Sequence, residues 1–317
     1  MKLAAIILNF RTPDMTVDAI TSTIAALVNV DFDWAITVVD NDSGDGSEEK
    51  LRQTCEAQQK NNIQGWDRVE VVQSGNNGGF GAGNNVGIRH VMTQHDDLEY
   101  VYILNSDAFP EKEALTELVQ FLDNNQGYGV AGSYIFGTDG EPHMTAFRFP
   151  TIQGEFEGAI KLGPVSRILK KYIVPMGIPE TAIDVDWLAG ASMLVRVKTI
   201  HQVGLFDETF FLYFEETDLL LRMAKQGWNT RYLLESKVAH VGSASTGMKK
   251  WERIPSYWLD SRKHYFIKNH GRAYFYLATI AKVIGLSVWG LRCALTKKEN
   301  QEPKGFSLDL IKHAFSK

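Results

Sequence analysis

The stretch LAAIILNFRTPDMTVDAITSTIAAL, residues 3–27, contains the pattern that decides the fold. Its first part, LAAIIL (3–8), is a short apolar run typical of a buried β-strand, and residues 16–27 have the apolar spacing of a helix. The same alternation continues along the chain. Strands are predicted at 35–40, 69–73 and 100–105, and helices at 48–59, 83–92 and 112–124. Strand–helix alternation indicates an α/β fold with a doubly wound, mostly parallel sheet, as in Rossmann-like proteins.

The pattern changes after residue 129. We predict strands at 129–136, 187–196, 231–236 and 238–242, a short helical turn at 199–204, an aromatic loop at 206–214 and a helix at 216–225. Residues 137–184 mix Pro, Gly and basic residues without a clear period. We interpret this segment as a connecting or acceptor-facing region.

The composition is that of an ordinary globular protein of 317 residues, 44% hydrophobic and 22% charged. These values exclude disorder, collagen and coiled coil as descriptions of the whole chain. Two cysteines, Cys55 and Cys293, lie far apart, so neither a disulfide framework nor a zinc site is indicated. The chain therefore suits a reducing compartment.

Charge divides the chain into an acidic body and a basic tail. Residues 1–248 carry 19 Lys and Arg against 33 Asp and Glu, whereas residues 249–317 carry 14 against 5. Within the tail, residues 273–295 are almost all apolar or small, interrupted by Lys282 and Arg292. Charges inside a membrane span are costly, so this segment predicts a helix lying at an anionic membrane surface. The alternative is a core helix with a solvated face.

Polar side chains follow the predicted strands at the ends where such sheets bind ligands. Asn9 follows the first strand, and Asp40 ends the second. The Asp40 carboxylate can accept a hydrogen bond from a base or ribose; the alternative is an Asx turn or helix cap. Asp107, two residues beyond Asn105, suits Mg²⁺ or Mn²⁺ bound mainly through phosphates and water, or caps the next helix. His240 ends a later strand and can add an imidazole ligand, which Mn²⁺ tolerates, although most isolated histidines are structural.

The run NNGGFGAGNN (76–85) follows the third strand and opens a helix. Backbone amides in such a loop can approach a phosphate or a sugar closely. The glycine spacing does not match a dinucleotide fingerprint, and the run does not follow the first strand. A tight strand-to-helix turn is the alternative, but asparagines such as Asn77 favour a polar ligand.

The run FFLYFEETDLLLR (210–222) places Glu215, Glu216 and Asp218 in the first turn of a helix. Adjacent carboxylates beside an apolar wall raise a pKa and can provide a general base. The alternative is complementarity to the helix dipole together with an Asp218–Arg222 pair. Since successive helical residues point about 100° apart, Glu215 and Glu216 are expected not to share one pocket.

The ordered motifs ILNFRT, VVDNDSGDGS, NNGGFGAGNN, LNSDA, WLAGASMLVR, FFLYFEETDL and AHVGSAST resemble those of family 2 glycosyltransferases, particularly rhamnosyltransferase-like members that act on lipid-linked or cell-surface glycans. The resemblance covers residues 3 to about 272. It implies a GT-A fold, a nucleotide-diphosphate sugar donor, a divalent metal (Mg²⁺ or Mn²⁺) and inversion at the anomeric carbon.

The resemblance also implies a role for particular residues. Asp40 matches the acid that binds the nucleobase, Asn77 and Phe80 fall in the donor-binding loop, and Asn9 and Asn105 belong to the donor side of the site. The run 105–107 matches the family's DxD motif with Asn105 in place of the first Asp, so the metal has one anionic ligand fewer. Asp107 and His240 would hold this metal. Glu216 matches the catalytic base, with Glu in place of the usual Asp, and residues 187–191 would line the acceptor side.

These expectations define the predicted organisation and partners. Residues 1–130 form a nucleotide-sugar half and 131–248 an acceptor and catalytic half, followed by a basic helical tail over 249–317. The donor is a dTDP- or UDP-sugar, the acceptor a glycan or lipid-linked glycan, and no nucleic acid is expected. The protein is expected in the cytoplasm, peripheral on the inner face of the cytoplasmic membrane. Two other classes remain open, a non-catalytic nucleotide-sugar or glycan-binding protein and an NAD-dependent dehydrogenase.

Overall fold

The first half of the chain follows the predicted alternation of strands and helices. A computed structural model describes residues 1–242 and 251–316. Its N-terminal elements are β1 (Leu3–Asn9), α1 (Pro13–Leu27), β2 (Trp34–Asp40), α2 (Ser47–Lys60), β3 (Val69–Gln73), α3 (Phe80–Gln94), β4 (Tyr100–Asn105), β5 (Ala108–Pro110) and α4 (Ala114–Asn124). The structure therefore confirms all the strands and helices predicted here, and adds the short strand β5.

The second half contains more structure than its sequence pattern indicated. Its elements up to the last strand are β6 (Tyr128–Phe136), β7 (Ala146–Phe147), α5 (Ile152–Ile160), α6 (Gly163–Ile168), β8 (Ile183–Val185), β9 (Trp187–Leu188), β10 (Ser192–Arg196), α7 (Val197–Val203), α8 (Glu215–Lys225) and β11 (Asn229–His240). Three further helices follow, α9 (Ser256–His270), α10 (Arg272–Thr296) and α11 (Phe306–Phe315).

Two predictions for this half were wrong in detail. The run 187–196 is two strands, because residues 189–191 leave β9, which pairs with β7, before β10 joins the main sheet. The strands predicted at 231–236 and 238–242 are one strand, β11, whose register shifts between Leu233 and Lys237. Residues 137–184 hold two helices and two short strands. Their local pattern is weak because α5 is stabilised by packing along α10, far away in the sequence.

A nine-stranded sheet organises the body in the order β3-β2-β1-β4-β10-β6-β11-β5, with β8 paired to β11. The first four strands are parallel, and β6 is parallel to β11. The other pairs, those of β10, β5 and β8, are antiparallel. The doubly wound, mostly parallel sheet is therefore confirmed.

Both faces of the sheet are buried, as the strand pattern of β1 shows. Leu3, Ala5 and Ile7 pack in the layer that contains α1, α2 and α4, whereas Ala4, Ile6 and Leu8 pack toward α3, α7 and α8. Successive side chains of a strand point to opposite faces, so a continuous apolar run fits a sheet covered on both sides. This arrangement leaves the carboxyl ends of the parallel strands open for a site.

The C-terminal helices pack on the body through α5. A Cβ atom on Gly285 of α10 would lie 2.7 Å from Ala159 Cβ and 2.9 Å from the Phe156 carbonyl oxygen, so the two helices approach too closely for a larger residue. The Arg262 guanidinium of α9 donates from Nε to Glu155 at 2.8 Å and from Nη1 to Thr279 at 3.0 Å. The buried ion pair of Arg262 with Glu155 therefore joins α9 to α5, and the hydrogen bond to Thr279 joins α9 to α10. The predicted domain boundary at 248/249 lies outside the described residues.

We expect Arg262→Met to lower the free energy of unfolding by about 3–5 kcal/mol, because it leaves the buried Glu155 carboxylate without its main partner. Lys282, whose Nζ lies 3.5 Å from Glu155, offsets part of this loss. Urea denaturation measures the change. The control is Arg52→Met, which breaks a half-exposed i,i+4 pair with Glu48 and should cost less than about 0.5 kcal/mol. Equal losses in the two variants would contradict the prediction.

Candidate active site

The predicted strand-end residues gather at the carboxyl edge of the sheet, where Asp40 is the centre of a buried network. Its carboxylate, 1% exposed, accepts hydrogen bonds from Asn9 Nδ2 at 2.6 Å, Ser43 Oγ at 2.6 Å, the Ser43 backbone N–H at 3.1 Å and Gln73 Nε2 at 3.0 Å. The Ser43 N–H lies three residues beyond Asp40 and the next helix begins at Ser47, so this bond is neither the Asx turn nor the helix cap considered as the alternative. Asp40 thus joins β1, β2 and β3, and a nucleobase that contacts it must replace one of these donors.

Asn9 has a similar position. Its side-chain oxygen accepts hydrogen bonds from Thr16 Oγ1 at 2.7 Å and the Thr12 N–H at 3.3 Å, which joins the end of β1 to the start of α1. The side chain is fully buried. Asn9 therefore stabilises the junction between β1 and α1 from a buried position.

The glycine-rich loop is held against the aromatic loop. Asn77 Oδ1 accepts a hydrogen bond from the Gly79 N–H at 3.1 Å, and the Phe80 N–H donates to the Phe211 carbonyl oxygen at 3.0 Å. Gly79 has φ +91°, and a Cβ there would lie 1.8 Å from that oxygen. Only glycine fits this contact. The Phe80 ring lies 6.1 Å from the Phe206 ring, edge to face, so the two loops form one wall.

The predicted metal residues lie together although 133 positions separate them. His240 Nε2 is 3.0 Å from Asp107 Oδ1, and Asn105 Nδ2 is 3.4 Å from the same ring nitrogen. The strand pair β5–β11 creates this contact. Burial favours the neutral form of Asp107, but the His240 hydrogen bond and charge outweigh it, so the pKa of Asp107 is lowered. The ring of His143, which sequence reasoning missed, lies 6.0 Å from that of His240.

No group of three or more His, Cys, Asp or Glu side chains is placed to hold a metal ion within residues 1–242 and 251–316. The pair Asp107–His240 would thus form only a partial ligand set for a metal ion. One carboxylate and one imidazole suit a hard divalent cation whose other ligands come from phosphates and water.

Glu215 and Glu216 point in different directions, as the helical spacing predicted. Glu215 is 2% exposed and its Cβ lies 3.5 Å from a Cβ built on Gly81, whereas Glu216 is partly exposed and lies beside Gly190. Burial and the neighbouring Glu216 raise the pKa of Glu215 well above its usual value. Burial raises the pKa of Glu216 to about 7, opposed by backbone N–H groups that include that of Gly190. Glu216 can therefore gain or lose a proton near neutral pH.

Four buried acceptor oxygens without hydrogen-bond partners surround the first turns of α3 and α8. They belong to Asn41, Asn84, Glu215 and Glu216. A Cβ on Gly83 would lie 3.0 Å from the Asn41 oxygen, which places this acceptor against the start of α3. Sequence reasoning did not select Asn41 or Asn84, although both lie in the polar runs that it identified. Unpaired buried acceptors are rare in folded proteins, and a bound water, ion or ligand is the usual source of the missing donors.

Helix α9 fixes the position of α8. Asp218, which is fully buried, accepts hydrogen bonds at 2.8 Å from Arg222 Nε, Lys268 Nζ and Asn269 Nδ2. Burial acts to raise its pKa, but these three donors lower it overall. The predicted Asp218–Arg222 pair is confirmed, so Asp218 has the structural role, and Glu216 in the same turn remains available for chemistry.

Residues 6–182 match the family described as Glycosyl transferase family 2. Among curated proteins, the chain is 26% identical over 232 residues to the low-salt glycan biosynthesis hexosyltransferase Agl10 of Haloferax volcanii, covering 73% of this chain and 66% of that protein. It is also 26% identical over 227 residues to an N-acetylglucosaminyl-diphospho-decaprenol L-rhamnosyltransferase of Mycobacterium tuberculosis, covering 67% of this chain and 68% of that protein.

A solved structure supports the fold. The mannosyltransferase PcManGT from Pyrobaculum calidifontis, in complex with GDP-Man and Mn²⁺, superposes with a TM-score of 0.52 at 11% sequence identity. The superposition covers 99% of this chain and 85% of that one. The two chains therefore share an architecture across almost the whole length of this protein.

Proposed function

The chain belongs to glycosyl transferase family 2 and has the GT-A fold, and from this premise we propose that it is an inverting glycosyltransferase. It moves a sugar from a nucleotide-diphosphate donor, a dTDP- or UDP-sugar, to a hydroxyl group of a glycan or lipid-linked glycan. The observation that carries this proposal is Glu216, a partly exposed residue whose carboxyl group has a buried oxygen without a hydrogen-bond partner and a pKa raised to about 7.

Glu216 is placed to act as the general base. Its carboxylate accepts the proton of the acceptor hydroxyl while the acceptor oxygen bonds to the anomeric carbon and the carbon–diphosphate bond breaks on the opposite side. The configuration inverts, and the nucleoside diphosphate leaves with the bonding electron pair. Asn77 and Phe80 position the donor loop, and the start of α3 favours the negative charge of the leaving group.

The side chains of Asp107 and His240 would hold Mg²⁺ or Mn²⁺, with Asn105 beside them. When bound, such a cation supplies positive charge that stabilises the leaving diphosphate. The partial ligand set supports this assignment, since a cation there depends on the diphosphate for its remaining ligands. The Mn²⁺ in the PcManGT structure is consistent with it.

The relatives support the choice of donor sugar and acceptor. The mycobacterial relative is named as a rhamnosyltransferase acting on a decaprenol-linked sugar, which favours rhamnose and a lipid-linked acceptor for this chain. A lipid-linked acceptor places the reaction at the inner face of the cytoplasmic membrane. Trp187, whose ring stacks on Phe147 at 4.2 Å, contributes to the acceptor side.

A panel of nucleotide sugars with Mn²⁺ tests the proposal. A donor that binds the folded chain should raise its melting temperature, and dTDP- or UDP-sugars should give the largest shifts. Addition of acceptor to that mixture should release free nucleoside diphosphate. Binding without release would instead identify a nucleotide-sugar-binding protein.

Gly190→Ala should lower the rate of transfer by about tenfold or more without loss of stability. A Cβ at this position would lie 3.0 Å from two atoms of the Phe80 ring and 4.0 Å from Glu216 Oε1. The added methyl group therefore displaces the Phe80 ring relative to the Glu216 carboxylate. Small displacements of reacting groups cost large factors in rate. The measurement is kcat, with Gly158→Ala as the control, since a Cβ on Gly158 meets nothing within 4 Å.

A further inference from the structure

Helix α10 has two apolar faces, of which the body covers one. Its buried side chains, Phe275, Ala278 and Leu286 among them, pack toward α5 and α9. Among the described residues it is the one helix long and apolar enough to cross a membrane. The alternative considered for this segment was a core helix with a solvated face; one face of α10 does pack on the body, and the opposite face, although exposed, is also apolar.

That opposite face forms what we call the apolar stripe, made of exposed side chains of α10 and α11. Its members are Tyr276, Leu277, Ile280, Ile284, Val288, Leu291 and Leu295 of α10 and Leu308, Ile311 and Phe315 of α11. At about 100° per residue, the seven from α10 fall within an arc of about 120°, and the three from α11 within about 60°. The Tyr276 and Phe315 rings stack at 5.8 Å, which joins the two helices into one surface.

The apolar stripe is large and exposed. Leu291 is 63% exposed, Leu295 77% and Phe315 76%. Soluble proteins rarely leave contiguous apolar patches of this extent uncovered unless the patch binds a partner or a membrane.

Basic side chains border the apolar stripe. By the same helical geometry, Arg272 lies about 40° beyond one edge of the arc on α10, and Arg292 about 40° beyond the other. On α11, Lys312 lies about 40° beyond Leu308. Arg292 packs near Trp289 and donates to the Lys161 carbonyl oxygen. An apolar face with cations along its edges is the arrangement that binds the headgroup region of an anionic membrane.

We propose that the apolar stripe docks in the plane of an anionic bilayer, with α10 and α11 lying on the surface and not crossing it. A crossing would require α10 to leave α5, which the close contact at Gly285 opposes, and would carry Lys282 away from Glu155. A second copy of this chain fits less well, because α10 contains no Asp or Glu to pair with the bordering cations. The first observation opposes a crossing and the second opposes a dimer, which leaves docking in the plane of a lipid surface.

The docked surface also bears on the catalytic residues. Helix α9 packs against α10 and α11 and donates the Lys268 and Asn269 hydrogen bonds that hold Asp218 in α8. Helices α10 and α11, which contact the lipid in this proposal, therefore pack against α9. Helix α9 in turn holds α8, the helix that contains Glu216. This inference rests on the proposed membrane location and is independent of the proposed reaction.

Sedimentation of the full chain with vesicles tests the inference in the absence of any sugar nucleotide. Vesicles of phosphatidylcholine alone are compared with vesicles that contain phosphatidylglycerol. Leu291→Asp should weaken binding to the anionic vesicles about tenfold, and Leu277→Asp/Leu291→Asp about 100-fold. The matched control is Ile63→Asp, which places the same charge on a half-exposed residue outside the stripe and should change binding less than twofold.

The cations provide a second arm. Arg272→Ala and Lys312→Ala should each weaken binding to anionic vesicles about fivefold and leave phosphatidylcholine binding unchanged. Equal binding of Leu291→Asp and Ile63→Asp to anionic vesicles would overturn the proposal. Light scattering that shows a dimer of the parent and monomers of the stripe variants would also overturn it. Melting curves measured with and without donor check that each variant folds. A variant that loses vesicle binding but whose melting temperature still rises with donor has lost docking alone, so a failure of docking is distinct from a failure of the reaction.

Discussion

Glu216→Gln is expected to reduce sugar transfer by about 10²–10⁴ while donor affinity stays at the parent value. The amide keeps the size and hydrogen-bonding capacity of the side chain but cannot accept the proton of the acceptor hydroxyl. Steady-state kinetics with a lipid-linked acceptor, together with calorimetric titration of the donor, separate the two effects. Loss of donor affinity together with rate would assign Glu216 to binding.

The matched control is the neighbouring carboxyl group. Glu215 is buried, and burial together with the neighbouring Glu216 raises its pKa well above the usual value, so its surroundings favour the neutral form that Glu215→Gln imitates. We expect near-parent transfer and stability from this variant. If Glu215→Gln were inactive and Glu216→Gln active, the base would be Glu215.

The pH dependence of transfer provides an independent check. Because the base must be ionised, kcat/KM should rise as the pH increases through about 7, the pKa of Glu216. The residual activity of Glu216→Gln should lack this rise.

The raised pKa of Glu216 also predicts that the parent becomes less stable as the pH rises, whereas its kcat/KM increases. A carboxyl group whose pKa is higher in the folded state than the usual 4.5 holds its proton more tightly when folded, so it destabilises the fold as the pH rises from about 4.5 through 7. Glu216→Gln should therefore be more stable than the parent at pH 8, by about 1–3 kcal/mol. At pH 4 the two proteins should unfold at similar denaturant concentrations.

Asp107→Ala is expected to weaken nucleoside diphosphate binding at least about 100-fold and to abolish its dependence on divalent cation. The parent should lose a comparable factor when EDTA is added, whereas the variant should bind equally weakly with and without it. Isothermal titration with UDP and dTDP measures both values. Undiminished binding of the parent in EDTA would show that the metal assignment is wrong.

Two further variants make this result specific. His240→Ala removes the imidazole 3.0 Å from Asp107 and should weaken binding in the same direction by a smaller factor. Asp96→Ala removes an exposed carboxylate elsewhere on the surface and should leave binding unchanged. A uniform loss across all three would indicate a general effect of charge.

The sequence was sufficient for the parallel strands β1 to β4 and for the position of each candidate residue along the chain. Apolar runs such as LAAIIL and helical spacing over residues 16–27 are local patterns, set by the two-residue period of strands and the 3.6-residue period of helices. Local patterns therefore located Asp40 at the end of β2, Asp107 just after β4, and Glu216 at the start of α8. The same local geometry separated Glu215 from Glu216.

Only the tertiary structure decided what surrounds those residues. It paired Asp107 with His240, saturated Asp40 with donors from three segments, and placed Gly190 beside Glu216. Helix α5, hidden in an irregular stretch, is defined by its contact with α10, and that contact determines which face of α10 remains exposed. Burial, pKa and partner choice depend on groups that distant parts of the chain bring within a few ångströms, and no local period encodes those approaches.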